Sequence, residues 1–332
     1  METLLISQDQ IKTLISTKEI VDAVEKTFQG LGQGTVINPT KVNLNLGETG
    51  GYPYFEGYMN AMPAYVEWAG TAGLKWAGGF LGERQKKGLP YITSLIMLLD
   101  PRTGEFTSVM DGAYITNMRT GAQTAVALQY IMPDDKKSLR LGLYGAGMQG
   151  RTQIMAIAQR FEIEEVTVYD VCPQAAQDYA RTMKEYVRGQ IKVAASPRQA
   201  AVGDAIITVT QARDKFLEES WVKPGTVVFP MGSHQECSNE LILSCDKIIV
   251  DHIGQALHRG ALADLNAQGK VLEENIFATI GELAAGKKKA RIAAGQRFVC
   301  IPIGTGSMDV GIAGLVQKKA LDQGLGGSFE FV

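Results

Sequence analysis

The 332-residue sequence predicts an α/β protein in which a doubly wound parallel sheet follows an α+β part of different construction. Three observations carry this. Residues 139–150 read as strand, glycine turn and helix in succession. After them, strand and helix patterns alternate, as βα units require. Before them, strands come in runs, the pattern of an antiparallel or mixed sheet.

The first part opens with Ser7 and Gln10 in capping-box spacing, followed by Ile11, Leu14 and Ile15 at helical intervals. Thr17 begins a second helix with an apolar stripe at Ile20, Val21, Val24 and Phe28, expected to stop near Gly30. Asn38-Pro39 marks extended chain, because the residue before proline avoids the helical region. Alternation over residues 41–46 predicts a half-buried strand, and further strands are expected at residues 62–66, 74–79 and 92–99. Asp100-Pro101-Arg102-Thr103-Gly104 is hairpin-turn chemistry, with a returning strand at 105–110. Residues 82–88 read as a solvated loop.

Residues 111–130 change character. Thr116, Arg119 and Thr120 introduce a small-residue helix at an apparent strand-to-helix junction. The fingerprint follows: Gly145-Ala146-Gly147-Met148-Gln149-Gly150. Gly145 allows the tight turn, Gly147 the approach of a pyrophosphate and Gly150 close helix–strand packing. The helix N-terminus offers N–H groups to the phosphates. Strands are then expected at 166–169, 191–194, 205–210, 226–231 and 247–250. A second glycine-rich turn at 304–311 leads into a final helix, and the tail from Gly324 is expected to fray.

The near-balanced charge of −2 gives no electrostatic footprint for nucleic acid or an anionic membrane. No apolar run approaches the ~18 residues of a membrane span, and the N-terminus lacks signal-peptide character. Cys172, Cys237, Cys245 and Cys300 show no framework spacing, so reduced thiols and a cytoplasmic location are expected.

Several residues are candidates for chemistry. Asp170, twenty residues past Gly150, stands where an acid takes the adenosine ribose hydroxyls and repels a 2′-phosphate, which predicts NAD rather than NADP. Neither Val171 nor Cys172 is basic. Thr210, Met231 and Gly232, at the carboxyl ends of later strands, are candidate cofactor contacts. Lys75, inside an apolar strand, faces either water or an anion such as a small-molecule carboxylate. Arg119 suits a carboxylate or phosphate, or else lies on the surface. His234 follows a strand at the ligand-binding end of the sheet and can transfer a proton there, or is a loop residue without a role. Its spacing to Cys237 and Cys245 matches no zinc pattern, so no metal is predicted. Trp68, Trp76, Tyr54, Tyr58 and Phe80 line either an apolar pocket or the core.

In order along the chain, Met62-Pro63-Ala64, Gly73-Leu74-Lys75, Gly88-Leu89-Pro90, Asp100 to Glu105 and Asp111-Gly112 form one pattern. Thr116, Arg119-Thr120-Gly121-Ala122, the glycine turn, Glu240-Leu241 and Met308-Asp309 continue it. The sequence resembles the ornithine cyclodeaminase/mu-crystallin family, which includes alanine dehydrogenases and ketimine or iminosuccinate reductases. The resemblance implies a homodimer whose substrate-binding and dimerisation domain, residues 1–125 plus 305–332, is interrupted by a Rossmann domain at 126–304. It implies that Lys75, as a catalytic residue, and Arg119 hold the substrate carboxylate, helped by Lys41 where many members have arginine. Thr120 would touch the cofactor phosphates and Asp309 the nicotinamide end.

One departure bears on the reaction. Where ornithine cyclodeaminases and the archaeal alanine dehydrogenase type of the family place an aspartate for the amino group, Gly232-Ser233 is followed here by His234. A histidine serves ornithine's distal ammonium poorly, so the expected activity is NAD-dependent interconversion of an L-α-amino acid and its imine or 2-oxo acid. The alternatives are an ornithine cyclodeaminase-type lyase using bound NAD and a non-catalytic small-molecule binding protein like mu-crystallin.

Overall fold

The structure, a computed structural model, describes residues 2–47, 55–232 and 234–331. The chain folds as two compact units, Met1–Arg119 with Thr305–Val332, and Thr120–Gly304.

The strands of the first unit are β1 (Glu2–Ile6), β2 (Val36–Ile37), β3 (Val42–Asn45), β4 (Gly57–Val66), β5 (Thr71–Phe80), β6 (Ile92–Leu99) and β7 (Phe106–Asp111). Those of the second unit are β8 (Ser138–Tyr144), β9 (Glu162–Tyr169), β10 (Gln190–Val193), β11 (Ala205–Thr208), β12 (Val227–Pro230), β13 (Lys247–Val250), β14 (Ile276–Thr279) and β15 (Phe298–Ile301). The last strand, β16 (Gly327–Glu330), returns to the first unit.

The first sheet runs β16-β1-β7-β6-β5-β4-β2, with β3 also on β4. It is mixed, as the runs of strands predict: β1 and β7 are parallel, and the other pairs are antiparallel. The helix Gly306–Gln323 packs on β4, β5 and β6 and is backed by the helix Thr17–Gln33. Both helices are followed by a glycine in the left-handed region, Gly324 and Gly34. The predicted capping box at Ser7 is present, and a second one starts Thr17–Gln33 from Ser16.

Several expectations are corrected. Thr17–Gln33 passes Gly30, since a single glycine costs a helix only about 1 kcal/mol and Gly30 is itself buried along with Thr27 and Phe28. All four β3 residues are exposed rather than half-buried. Residues 82–88 contain a short exposed helix, Gly82–Lys86. The tail does not fray at once, because β16 pairs with β1, a strand that alternation in five residues does not reveal. Arg119 stands two turns inside a helix, Ala113–Ile131, because Asp111 caps it early by accepting from the Ala113 N–H at 3.0 Å.

The second sheet has the order β10-β9-β8-β11-β12-β15-β13-β14, and every pair is parallel. Its strands read as continuous apolar runs because helices cover both faces of such sheets. β11 and β12 are buried along their whole length. The order reverses between β8 and β11, and ligands of open parallel sheets bind in the crevice beyond the carboxyl ends at such a reversal. β14 and β15 were not anticipated. Each is four residues long. No helix among the described residues is long and apolar enough to cross a membrane.

Candidate active-site residues

In the first unit, Lys75 is almost wholly buried. Its Nζ lies 2.6 Å from Oδ2 of Asp309, also buried, on the helix Gly306–Gln323. Arg119 brings Nε to 3.4 Å from the other carboxylate oxygen, and the Thr116 hydroxyl donates to that oxygen at 3.5 Å. Strand pairing sets Lys75 beside Met62 and Ile96, so its stem is enclosed by apolar side chains. Burial pushes the Lys75 ammonium down to about 7, helped by the charges of Arg119 and then Lys41, against the support of Asp309. Lys75 and Arg119 thus meet at Asp309, their counter-ion, and Lys41 is near enough for its charge to act on the Lys75 ammonium. A buried lysine near neutrality can both hold an anion and exchange a proton.

Of the aromatic candidates, Trp68 and Trp76 do not share a site. Side chains alternate along a strand, so Trp76 projects from the face opposite Lys75 and is exposed. Trp68 donates its indole N–H to the Thr27 hydroxyl at 3.2 Å in the packing of Thr17–Gln33. Tyr54 lies outside the described residues. Tyr58 instead meets Tyr91, whose phenol burial and Tyr58 push up to about 12.

In the second unit, Gly145 has φ 103°, open to glycine at little cost. A Cβ on Gly150 would stand 2.1 Å from the Gly145 carbonyl oxygen, so the turn closes only with glycine there. A Cβ on Gly147 would meet nothing within 4 Å, and Met148 is exposed. Gly147 caps the helix Met148–Ile157 without any side-chain bond to its first N–H groups. An open glycine before uncapped N–H groups is what a pyrophosphate needs. Asp170 accepts from the Ala146 N–H and from the Cys172 N–H, each at 2.8 Å, which fixes its carboxylate at the turn. Thr120 stays beside this helix: a Cβ on Gly121 would be 2.1 Å from the Thr152 carbonyl, and Gln153 donates to the Thr120 carbonyl at 3.5 Å.

His234 is exposed on the loop after β12. The residue that pattern reading overlooked is Glu236, fully buried two positions on. Its Oε1 accepts from the N–H and hydroxyl of Thr210 at 2.9 and 2.6 Å. Its Oε2 accepts from the Thr208 hydroxyl and the Gly232 N–H at 2.6 and 2.9 Å. Thr210 and Gly232 therefore spend their donors on Glu236 and have only other atoms to offer a ligand. Met231 takes a weak bond from the Thr124 hydroxyl at 3.8 Å. His252 caps the helix Ile253–Ala256, and His258 is exposed. No group of three or more metal-ligating side chains occurs among the described residues. A cavity of about 440 Å³, lined in part by Gly203, Asp204, Gly225 and Thr226, opens at the amino ends of β11 and β12. It is at the edge opposite the crevice and contains none of the candidates.

Comparison with known proteins agrees with these features. The model of the ornithine cyclodeaminase/mu-crystallin family matches residues 1–324. The chain belongs to that family. It is 33% identical over 334 residues to the alanine dehydrogenase of Archaeoglobus fulgidus, covering 100% of this chain and 99% of the relative. Among solved structures, an archaeal alanine dehydrogenase dimer with bound NAD matches with TM-score 0.91 and 33% identity, over 100% of both chains. The Δ1-pyrroline-2-carboxylate reductase of Thermococcus litoralis, in complex with NADH and L-proline, matches with TM-score 0.89 and 31% identity, over 98% of this chain and 99% of that one. The resemblance read from the motifs is borne out, as is the fold class.

Proposed function

We propose that this family member is an NAD-dependent oxidoreductase interconverting an L-α-amino acid and its imine, formed from a 2-oxo acid and ammonia or an amine. The observation that carries this is the buried meeting of Lys75 and Arg119 at Asp309, in a chain that also holds a complete dinucleotide turn. Alanine dehydrogenase and pyrroline-carboxylate reductase, the names of its relatives, belong to the same reaction class.

The first unit takes the substrate. Lys75, Arg119 and Lys41 hold its carboxylate, and Asp309 orients the Lys75 ammonium at the nicotinamide end. Fixing the carboxylate fixes the α-carbon, so that hydride transfer becomes effectively unimolecular. A bound nicotinamide supplies or takes the hydride. His234 exchanges a proton with the imine nitrogen, because cations around the carboxylate oppose any further build-up of positive charge.

The second unit takes the dinucleotide, with residues 145–150 and Thr120 at the pyrophosphate and Asp170 at the adenosine ribose. Arg151, the basic residue next to the turn, is occupied: it bonds the Thr182 hydroxyl and lies 5.4 Å over the Tyr179 ring. With Asp170 in place this favours NADH over NADPH. Dimerisation uses the face of the first sheet on which Val42, Leu44, Trp76 and Leu95 are exposed, opposite Lys75. Four free cysteines, two of them buried, suit a cytoplasmic location.

A panel of 2-oxo acids with ammonia or primary amines, followed by NADH absorbance with NADPH as control, is expected to find turnover with NADH. Proline and ammonia from ornithine without net NADH would instead make it a cyclodeaminase, and binding without any turnover a mu-crystallin-like carrier. His234→Ala is expected to lower kcat by about 100-fold while leaving the Kd for NADH within about twofold; an unchanged kcat removes His234 from the mechanism. An anion at Lys75 favours the protonated form and raises its pKa, so binding takes up a proton above pH 7. The affinity for an unreactive carboxylate such as oxamate should therefore be highest below pH 7 and weaken by up to about tenfold per unit above it. Titration calorimetry across pH 6–9 checks the slope, which Lys75→Met should abolish. Sedimentation should return about twice the chain mass of 35.9 kDa.

A further inference from the structure

Glu236 has more to do than close a loop. Its four donors fill the acceptor positions of a carboxylate. Among the described residues no lysine or arginine forms an ion pair with it. Buried carboxylates usually have a cation as well as hydrogen bonds. Here two hydroxyls and two N–H groups alone offset the charge.

The donors specify where that charge acts. Thr208 ends β11, Thr210 follows it, and Gly232 follows β12, so Glu236 ties together two adjacent carboxyl ends of the parallel sheet. A doubly wound sheet has two halves, each taking one mononucleotide. The glycine turn and Asp170 belong to the half built on β8, β9 and β10, which takes adenosine. The half beginning with β11 and β12 is left for the nicotinamide. That ring carries a positive charge when oxidised and none when reduced, so a fixed negative charge under this half distinguishes the two forms.

We infer that Glu236 is a positioning residue whose charge also sets the relative affinity for the two redox states, favouring NAD+ over NADH. The inference rests on the reading of the second unit as NAD-binding. It names a residue outside the carboxylate cluster, and its action does not pass through His234.

The test is equilibrium binding of NAD+ and of NADH to the full chain, by calorimetry and by nucleotide fluorescence. Glu236→Gln keeps the shape and removes the charge, so the ratio Kd(NAD+)/Kd(NADH) is expected to rise about five- to tenfold. Glu236→Asp keeps the charge, so the ratio is expected to hold even where both affinities fall. Thr208→Val removes one offsetting dipole and keeps the charge, which should lower the ratio by about twofold. This variant decides the matter if Glu236→Gln fails to fold. An equal loss for both nucleotides in Glu236→Gln, or an unmoved ratio in Thr208→Val, overturns the redox role and leaves a structural one. If the unmodified chain binds neither nucleotide, the reading of the second unit itself fails.

Discussion

Lys75 cannot be buried alone. An ammonium removed from water costs several kcal/mol and needs an opposite charge held in good geometry. Asp309 supplies it at 2.6 Å, from a helix that begins only after the whole second unit has been threaded. The first sheet therefore depends on the last part of the chain. Gly306–Gln323 covers β4, β5 and β6, brings Asp309 to Lys75, and leads into β16 at the sheet edge. The stabilisation is incomplete by construction, since Arg119 and Lys41 push against the same ammonium. What remains is an ammonium that burial and its cationic neighbours hold down to about 7.

The second unit handles charge differently. Two acids at the carboxyl edge of its sheet, Asp170 and Glu236, are satisfied by backbone N–H groups and hydroxyls rather than by lysine or arginine. Each uses those bonds to set the path of a loop at the carboxyl edge of the sheet. Asp170 fixes the glycine turn and Glu236 the ends of β11 and β12. Fully satisfied carboxylates of this kind rigidify the backbone around them.

Much of this was legible in residue order, and the failures have physical causes. The glycine turn declared itself because only one structure places those glycines between an apolar strand and a helix. Gly145 and Gly150 then do what their positions require. Lys75 was conspicuous as a lysine in an apolar strand, but its partner was not: Asp309 is 234 positions away, and pairing across that separation leaves no local signature. Glu236 was missed for a related reason. A glutamate in a polar loop normally faces water, and only the convergence of two strand ends turns it inward. Trp76 misled by type, since an aromatic residue next to Lys75 on a strand must point the other way.

The placement of Asp309 near the carboxyl terminus also orders events at the ribosome. All of residues 120–304 have been made before residue 309 exists, so the dinucleotide unit can reach its final core first, reversing the usual N-terminal-first sequence. Meanwhile the strand carrying Lys75 waits without its covering helix. At ordinary elongation rates the interval is on the order of ten to fifty seconds. For that time Val42, Leu44, Trp76 and Leu95 stand on one side of an unfinished sheet and the uncovered seat of Gly306–Gln323 on the other. The yield of folded chain should therefore respond to anything that slows translation of residues 305–323, which complete the covering helix.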